Sequence, residues 1–462
     1  MLMTAVIFIA SITLFSVLGA NGPEVFNHSD ANILIWDADA GDPNMWTKSF
    51  NLNSLRSEQQ LIYLKIKLER FETDEIPDFI PDQEVKMTST VNAFGGMTGS
   101  PTNDTIVSNE QVFQTIKWVG SDKYSQPVSL FSVSHVAYNN YKVKVSLSAP
   151  DDDLQQTYVF SSGAIYAQPD MVYVHTDFTT WSMGWKIAFQ VITLFMMFSP
   201  LSFCDGLFKG YFVQMRNVSW QYWSDMQCWI GALLVGLFFF NDPLFIFQIY
   251  TEDDTTATGL LAFYLIVMGA FISMILCFWL CTSEDIASEG MSQFLARKGA
   301  SYYVPKTVLC GALWIFISVF YAIARLDNSG SPKFDQLSDN GTYYTFEVIM
   351  AVFSGIWAAW FLVHMIKSLG KICAASAPYA FLFLLTAVSA LMAVIGVMVG
   401  ALYPLPDSSF KFLFFYANFN VYVWTLAFAY APEKDDGGDG HHEEMQNGDF
   451  YETLNPSGEG GI

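Results

Sequence analysis

Seven long apolar stretches constrain the fold of this 462-residue chain more than any other feature. They lie between residues 185 and 430, at Trp185–Cys204, Met226–Phe247, Thr258–Cys281, Val304–Ala324, Tyr344–Ile366, Ala380–Leu402 and Phe410–Tyr430. A helix needs about 20 apolar residues to cross a hydrocarbon core that is about 30 Å thick. Because lipid offers the backbone no hydrogen-bond partner, each stretch is predicted to be a membrane-spanning α-helix.

The composition agrees with a membrane protein and excludes one class of partner. The chain is 52% hydrophobic and only 14% charged, which is too few charges for a soluble protein of this length. Its net charge is −22. Such an acidic chain lacks the basic surface that binds phosphate backbones, so no nucleic-acid partner is expected. The expected partners include membrane lipids.

The region before the first predicted span has the alternation of β-strands. Ile62–Glu69 and Tyr141–Leu147 alternate apolar and mostly polar residues, as strands do when one face packs on a core. Weaker strands are predicted at Val85–Val91, Val112–Val119, Val128–Tyr138 and Tyr158–Ala167. Short strands separated by turn residues favour an all-β sandwich. The region contains no cysteine, so its stability must come from its own core.

These patterns divide the chain into four parts. Residues 1–20 are predicted to be a signal peptide, although they lack the usual basic start and an uncleaved anchor is the alternative. Residues 21–181 form the predicted β-sandwich ectodomain, residues 182–432 an α-helical seven-transmembrane bundle, and residues 433–462 a disordered acidic tail.

The basic residues of the loops predict the orientation. Lys and Arg concentrate in the loops that are cytoplasmic if the N-terminal domain lies outside. The N-terminus is therefore predicted to be lumenal or extracellular and the C-terminus cytoplasmic. In this orientation the Asn-x-Ser/Thr acceptors Asn27, Asn103 and Asn340 lie on the glycosylated side.

A polar group follows three phenylalanines near the end of the second span. Asn241 and Asp242 precede Pro243, which removes a backbone donor and should bend the helix. One interpretation is that they line a cavity open to the outer face, since polar groups inside membranes are functional candidates. The other is that they satisfy the kink and its neighbours, and this interpretation is favoured.

Other polar residues of the spans have simpler interpretations. Lys306 is expected to snorkel to the headgroups at the inner start of the fourth span. Glu347 is expected in the first turn of the fifth span, where the helix dipole favours a carboxylate. Asn418 and Asn420 should form interhelical hydrogen bonds from the seventh span.

Enzyme and metal motifs are missing from the sequence. It contains no His-Glu-x-x-His, no Gly-x-Ser-x-Gly and no phosphate-binding glycine loop. No catalytic residue, metal site or cofactor is therefore predicted, and the chain is not expected to be an enzyme.

The acidic tail contains a candidate sorting motif. Tyr451-Glu452-Thr453-Leu454 has the Tyr-x-x-apolar form that can add a strand to a groove of a coat adaptor. In this interpretation the side chains of Tyr451 and Leu454 occupy pockets in the adaptor groove.

The membrane half resembles the Wntless-like seven-transmembrane family. The resemblance rests on Phe240–Phe245, on Tyr303–Lys306 with Leu313-Trp314, and on Asn420–Pro432. It implies a Golgi-dynamics-type lumenal β-sandwich on a seven-helix bundle. It also implies a role like that of Wntless, a cargo receptor that escorts lipid-modified Wnt proteins. The outer domain departs from the family by lacking cysteines, so Wnt is not carried over as a ligand.

Together these features predict a multi-pass receptor of the secretory pathway, in the Golgi, endosomes or plasma membrane. It would bind and transport a secreted or lipid-modified protein cargo and recruit coat adaptors through its tail. Two alternatives remain open. One is a signalling receptor that resembles G-protein-coupled receptors, and the other is an ion channel or transporter.

Overall fold

The computed structural model has a β-sandwich built onto a helical bundle. It describes residues 2–29, 45–52, 62–70, 85–96, 103–116, 125, 128–133, 138, 140–148, 165–199, 210–216, 223–251, 254–288, 299–326, 341–372, 377–398 and 408–430. The predicted tail and its sorting motif, Tyr451 and Leu454, lie outside these residues, as does the acceptor Asn340.

The sandwich consists of two antiparallel four-stranded sheets. The strands are β1 (Phe26–Ser29), β2 (Met45–Leu52), β3 (Ile62–Arg70), β4 (Val85–Gly96), β5 (Asn103–Ile116), β6 (Val128–Val133), β7 (Asn140–Ser148) and β8 (Ile165–Val174). The orders are β1-β8-β3-β6 and β2-β7-β4-β5. The predicted all-β domain is therefore confirmed.

The alternating strands build the core of the sandwich. Ile62 and Leu64 of β3 are fully buried, as are Val143 and Val145 of β7. Lys144, between the two valines, points to the solvent. This is the inward apolar and outward polar alternation that the period of a strand requires.

Two strands escaped the sequence prediction and several have different bounds. β4 continues past the predicted Val91 to Gly96, and β5 begins at Asn103 rather than at Val112. β1 and β2 were not predicted, because β1 is only four residues long and Thr47, Lys48 and Asn51 interrupt the apolar character of β2. The predicted strand at Tyr158–Ala167 overlaps β8 only from Ile165 onward, and its earlier residues lie outside the described part of the chain.

The described helices match the predicted spans. They are α1 (Leu2–Ala20), α2 (Thr176–Phe198), α3 (Tyr211–Met215), α4 (Asp225–Phe240), α5 (Phe245–Tyr250), α6 (Asp254–Ser288), α7 (Ala300–Leu326), α8 (Gly341–Ile372), α9 (Ala377–Met398) and α10 (Ser409–Ala429). Within the part of the chain that the structure describes, six helical segments are long and apolar enough to cross a membrane. The predicted sixth span corresponds to α9, which contains the shorter apolar segment Ala380–Gly396. The bundle therefore has the predicted architecture, with the count of seven spans approximate.

Helix α1 packs along α10 as part of the bundle. The ring of Phe15 lies 5.6 Å from that of Trp185 and 5.5 Å from that of Phe189, centroid to centroid. A Cβ on Gly19 would lie only 2.9 Å from the Cα of Phe410, so the two backbones approach closely because glycine has no side chain. This packing favours the anchor alternative for residues 1–20 over their predicted removal as a signal peptide.

The sandwich is joined to the bundle at two adjacent points. β1 follows α1 and pairs with β8, which runs into α2. The amide of His175 donates to the carbonyl of Val25 at 2.8 Å, and its Nδ1 accepts from the amide of Asp177 at 3.1 Å, which caps α2. We call this side of the bundle, where α1 ends and α2 begins, the sandwich end. The opposite side, where α6 ends and α7 begins, is the far end.

Candidate functional sites in the helical bundle

The second span is interrupted at the predicted polar group. Helix α4 ends at Phe240, α5 begins at Phe245, and Pro243 lies in the break. Asp242 has a φ of 57°, and among the residues that the structure describes it is the one non-glycine residue with positive φ. Asp adopts this left-handed conformation more readily than most residues do. The predicted bend is therefore a complete break of the helix.

A lysine from the first span neutralises Asp242. Lys186 of α2 places its Nζ 3.0 Å from Oδ2 of Asp242, and the two side chains are only 8% and 3% exposed. Lys186 lies about 15 Å along α2 from Thr176, since a helix rises 1.5 Å per residue. Lys186 is the eleventh of the 23 residues of α2, so this ion pair lies near the middle of that helix and within the bundle. Removing one partner of such a pair leaves an uncompensated buried charge.

Aromatic rings enclose the ammonium group of Lys186. Its Nζ lies 3.5 Å from the ring centroid of Phe245, 5.1 Å from that of Tyr264 and 6.0 Å from that of Tyr416. The two tyrosine hydroxyls form a hydrogen bond of 2.6 Å with each other. The negative faces of aromatic rings attract a cation at these distances. We call Asp242, Phe245, Tyr264 and Tyr416 the ammonium cage.

Two asparagines connect the break to the last helix. Nδ2 of Asn241 donates to Oδ1 of Asn420 at 2.8 Å, and Nδ2 of Asn420 donates to Oδ1 of Asn241 at 2.9 Å. Gln190 of α2 donates to the carbonyl of Asn241, also at 2.8 Å. Both asparagines are fully buried. The favoured interpretation, in which Asn241 and Asp242 satisfy the break and its neighbours, agrees with these contacts.

Asn418 bonds in the other direction from the same helix. Its Oδ1 accepts from the hydroxyl of Ser389 and its Nδ2 donates to the carbonyl of that residue, both at 3.2 Å. Helix α10 thus forms hydrogen bonds with the break after α4 through Asn420 and with α9 through Asn418. The predicted interhelical role of both asparagines is confirmed.

Lys306 does not snorkel, and that prediction is wrong. The side chain is 1% exposed and its Nζ lies 2.9 Å from Oε2 of Glu284. The same nitrogen donates to the carbonyl of Tyr302 and lies 3.2 Å above its ring. Helix α6 continues to Ser288, beyond the predicted end of the third span, and so brings Glu284 alongside α7. A carboxylate partner within the bundle replaces the headgroup contact.

Further hydrogen bonds hold three helices together at the far end. The Tyr302 hydroxyl donates to Asp285 at 2.8 Å and links α7 to α6. Lys371 of α8 donates to the carbonyls of Ala287 and Ser288 at 2.7 and 2.8 Å. These carbonyls belong to the last turn of α6, and a cation suits the negative end of the helix dipole.

The placement of Glu347 also needs correction. Helix α8 already includes Gly341, so its first turn contains no acidic residue and Glu347 lies in its second turn. The helix continues through Thr342 and two tyrosines, which suit a headgroup interface, before the apolar run begins. Asn27 and Asn103 lie in β1 and at the start of β5, and their glycosylation stays a prediction.

The most informative residue that sequence reasoning missed is Lys186. It is the one charged residue of the predicted span Trp185–Cys204, and Asp242 is the one charged residue of the next span. Lone opposite charges in neighbouring spans are a signal for a buried pair, because an isolated charge in a membrane is costly. Glu284 was missed because it lies just beyond the predicted end of the third span.

Fold and sites together define a multi-pass membrane protein with an extramembrane β-sandwich and a helical bundle that contains paired buried charges. The model of the Wntless-like transmembrane domain matches residues 175–434, which are more than half of the chain. The chain therefore belongs to the Wntless-like family, as the sequence resemblance predicted. It is also similar to human transmembrane protein 181, with 25% identity over 260 residues. The match covers 53% of this chain and 52% of the relative, so it spans about half the length of that protein.

Proposed function

We propose that this protein is a receptor of the secretory pathway that binds a secreted or lipid-modified protein through its sandwich end and transports it between the Golgi, the cell surface and endosomes. The role is one of binding and transport rather than catalysis. The sandwich end would face the lumen or the extracellular space, as the loop charges predict. The resemblance to Wntless, a cargo receptor, is the source of the transport role.

The junction of sandwich and bundle is the structural observation that supports the proposal most directly. The pairing of β1 with β8 fixes the domain at both of its chain connections. The Ser409 hydroxyl of α10 donates to the carbonyl of Pro23 and adds a third point of attachment. A domain held in this way presents one fixed surface to a ligand, which lowers the entropy lost on binding.

An open cleft lies at this junction. It has a volume of about 430 Å³ and is lined by parts of residues 19–26 and by residues 408–410. Val25 and Phe26 supply apolar surface, whereas Glu24 and Ser409 supply polar groups. Such a mixed lining suits a peptide segment or the polar end of a lipid group. We propose this cleft as one contact site for the cargo.

The test combines location with partner capture. The chain would be tagged after Ile462, imaged against Golgi and endosome markers, and its cross-linked partners identified. Golgi and endosomal signal, with coat adaptors and a secreted client, is the expected result. The matched pair of variants is Tyr451→Ala and Tyr430→Phe, of which only the first changes the sorting tetrapeptide. Unchanged surface and endosomal levels in Tyr451→Ala would contradict the sorting role of the tail.

The signalling alternative has one observation in its favour. The buried contact between Lys306 and Glu284 holds α6 and α7 together at the far end, where a cytoplasmic partner would bind in the predicted orientation. A ligand-driven change at that end could be transmitted to such a partner. Ligand-dependent nucleotide exchange on a G protein would favour this role over cargo transport. The channel or transporter alternative rests on the charges of Asp242, Lys306 and Glu347 in the predicted spans. Asp242 is paired with Lys186 and Lys306 with Glu284 within the bundle, so we do not propose that function.

A further inference from the structure

We propose that the ammonium cage is a binding site for primary ammonium groups, and that Lys186 is its resident, covalently attached ligand. The inference is independent of the proposed cargo role. The Nζ of Lys186 is surrounded by one carboxylate oxygen at 3.0 Å and by three aromatic rings whose centroids lie 3.5 to 6.0 Å away. A carboxylate with several aromatic faces is the arrangement that proteins use to bind organic cations.

The walls of the cage are held by contacts that do not involve Lys186. The hydroxyls of Tyr264 and Tyr416 bond to each other, and the Phe240 ring packs 5.0 Å from that of Tyr416. The backbone of Asp242 is fixed in the break, because its amide donates to Phe239 and its carbonyl accepts from Phe245. The cage should therefore persist when the lysine side chain is removed.

The contacts of the nitrogen indicate which cations fit. Nζ donates a hydrogen bond to Oδ2 of Asp242, which a primary ammonium can do and a quaternary ammonium cannot. Asp242 is 4% exposed and carries a charge that water cannot solvate there. A neutral ligand of the same shape would leave this carboxylate unpaired, which is costly. The cage should therefore select a primary alkylammonium over both a neutral alcohol and tetramethylammonium.

Truncation of Lys186 to alanine gives the experiment its probe. The change removes three methylene carbons and the ammonium group, which together correspond to n-propylammonium. In the wild type the tether keeps the lysine ammonium at an effective concentration of about millimolar or higher, so the free amine should compete poorly. In Lys186→Ala the same amine should enter the vacated space.

The test measures the melting temperature of the purified full chain in detergent, with and without n-propylammonium chloride. Lys186→Ala should melt about 10 °C below the wild type, because Asp242 loses its counter-charge. n-Propylammonium should raise that melting temperature saturably and by several degrees, whereas 1-propanol and tetramethylammonium chloride should not. The wild type, the double variant K186A/D242N and the exposed-site control Lys367→Ala should show no such rise.

Several results would overturn the proposal. They are an unchanged melting temperature in Lys186→Ala, no rise with n-propylammonium, or an equal rise in K186A/D242N or in Lys367→Ala. If Lys186→Ala is degraded before purification, the same comparison is made on protein abundance in cells grown with n-propylammonium. There the amine should increase the abundance of Lys186→Ala several-fold and leave that of K186A/D242N unchanged, and an equal response of the two variants would contradict the site.

Discussion

The amide pair between Asn241 and Asn420 gives the sharpest test of how the bundle is held together. Replacing Asn420 by alanine removes its two hydrogen bonds with Asn241, at 2.8 and 2.9 Å, and a third that its Nδ2 donates to the carbonyl of Tyr416 within α10. Interhelical hydrogen bonds in membranes contribute about 0.6 kcal/mol each on average. The change also leaves the fully buried amide of Asn241 without its partner, which costs a further ~1–3 kcal/mol. The expected loss in the free energy of unfolding is therefore about 2–4 kcal/mol.

The buried cysteines provide the assay. Cys277, Cys281 and Cys310 are free and almost fully buried, so a thiol-reactive dye reports their exposure when the bundle unfolds. A loss of this size should lower the melting temperature in detergent by roughly 10 °C, at about 2–4 °C per kcal/mol for a domain of this size. As a matched control, Ser273→Ala removes a buried hydroxyl that has no hydrogen-bond partner among the described residues, so the melting temperature should stay within about 2 °C or rise.

The double variant N241L/N420L distinguishes the contribution of the amide pair from the cost of leaving one amide unpaired. Replacing both amides by apolar groups of similar size leaves neither side chain unsatisfied, so the double variant should be more stable than Asn420→Ala alone. If Asn420→Ala melts within about 2 °C of the wild type, the pair does not stabilise the bundle as argued. If the two single leucine substitutions add up fully in the double variant, the two amides are not coupled.

Four further results are expected. Gly22→Leu should destabilise the protein, because a Cβ there would lie 2.5 Å from a side-chain carbon of α10. N-terminal sequencing of the purified chain should find residues 1–20 still attached. A mature chain that begins at residue 21 would contradict the anchor. Lys306→Met should lower the melting temperature by about 10 °C through the unpaired Glu284, whereas the exposed-site control Lys367→Met should change it by less than about 2 °C. Asn103→Gln should remove one glycosidase-sensitive band shift, whereas Asn217→Gln should remove none, because the acceptor triplet that begins at Asn217 lies in a loop predicted to be cytoplasmic. The opposite pattern would reverse the predicted orientation.

The two halves of the fold were predictable because each has a simple pattern of apolar residues. The alternation in β3 and β7 identified the all-β domain, and runs of apolar residues identified the spans. The topology of the sheets was not predictable, because pairings such as β1 with β8 join residues far apart in sequence. The end of the third span also differed from its predicted position, because that prediction rested on hydropathy alone. α6 extends past the membrane-like run into polar residues, and hydropathy gives no signal where a helix continues beyond the lipid.

The polar sites were predicted in part. The sequence marked Asn241, Asp242 and Asn420 because polar groups stand out against an apolar background, but it could not say which of them meet. Lys186 was overlooked because a basic residue near the start of a span usually reaches the headgroups. The same expectation gave the wrong environment for Lys306. In both cases an acidic side chain from another helix decides the outcome, and such contacts depend on tertiary packing.

Secretion itself is the most direct measurement of the proposed role in cargo transport. Cells with and without the protein would be compared by quantitative proteomics of the medium and of the cell contents. At least one secreted or lipid-modified protein should accumulate inside cells that lack this protein. Its secretion should return with the wild-type chain and only weakly with Tyr451→Ala. An identical set of secreted proteins in both cell lines would contradict the role in cargo transport.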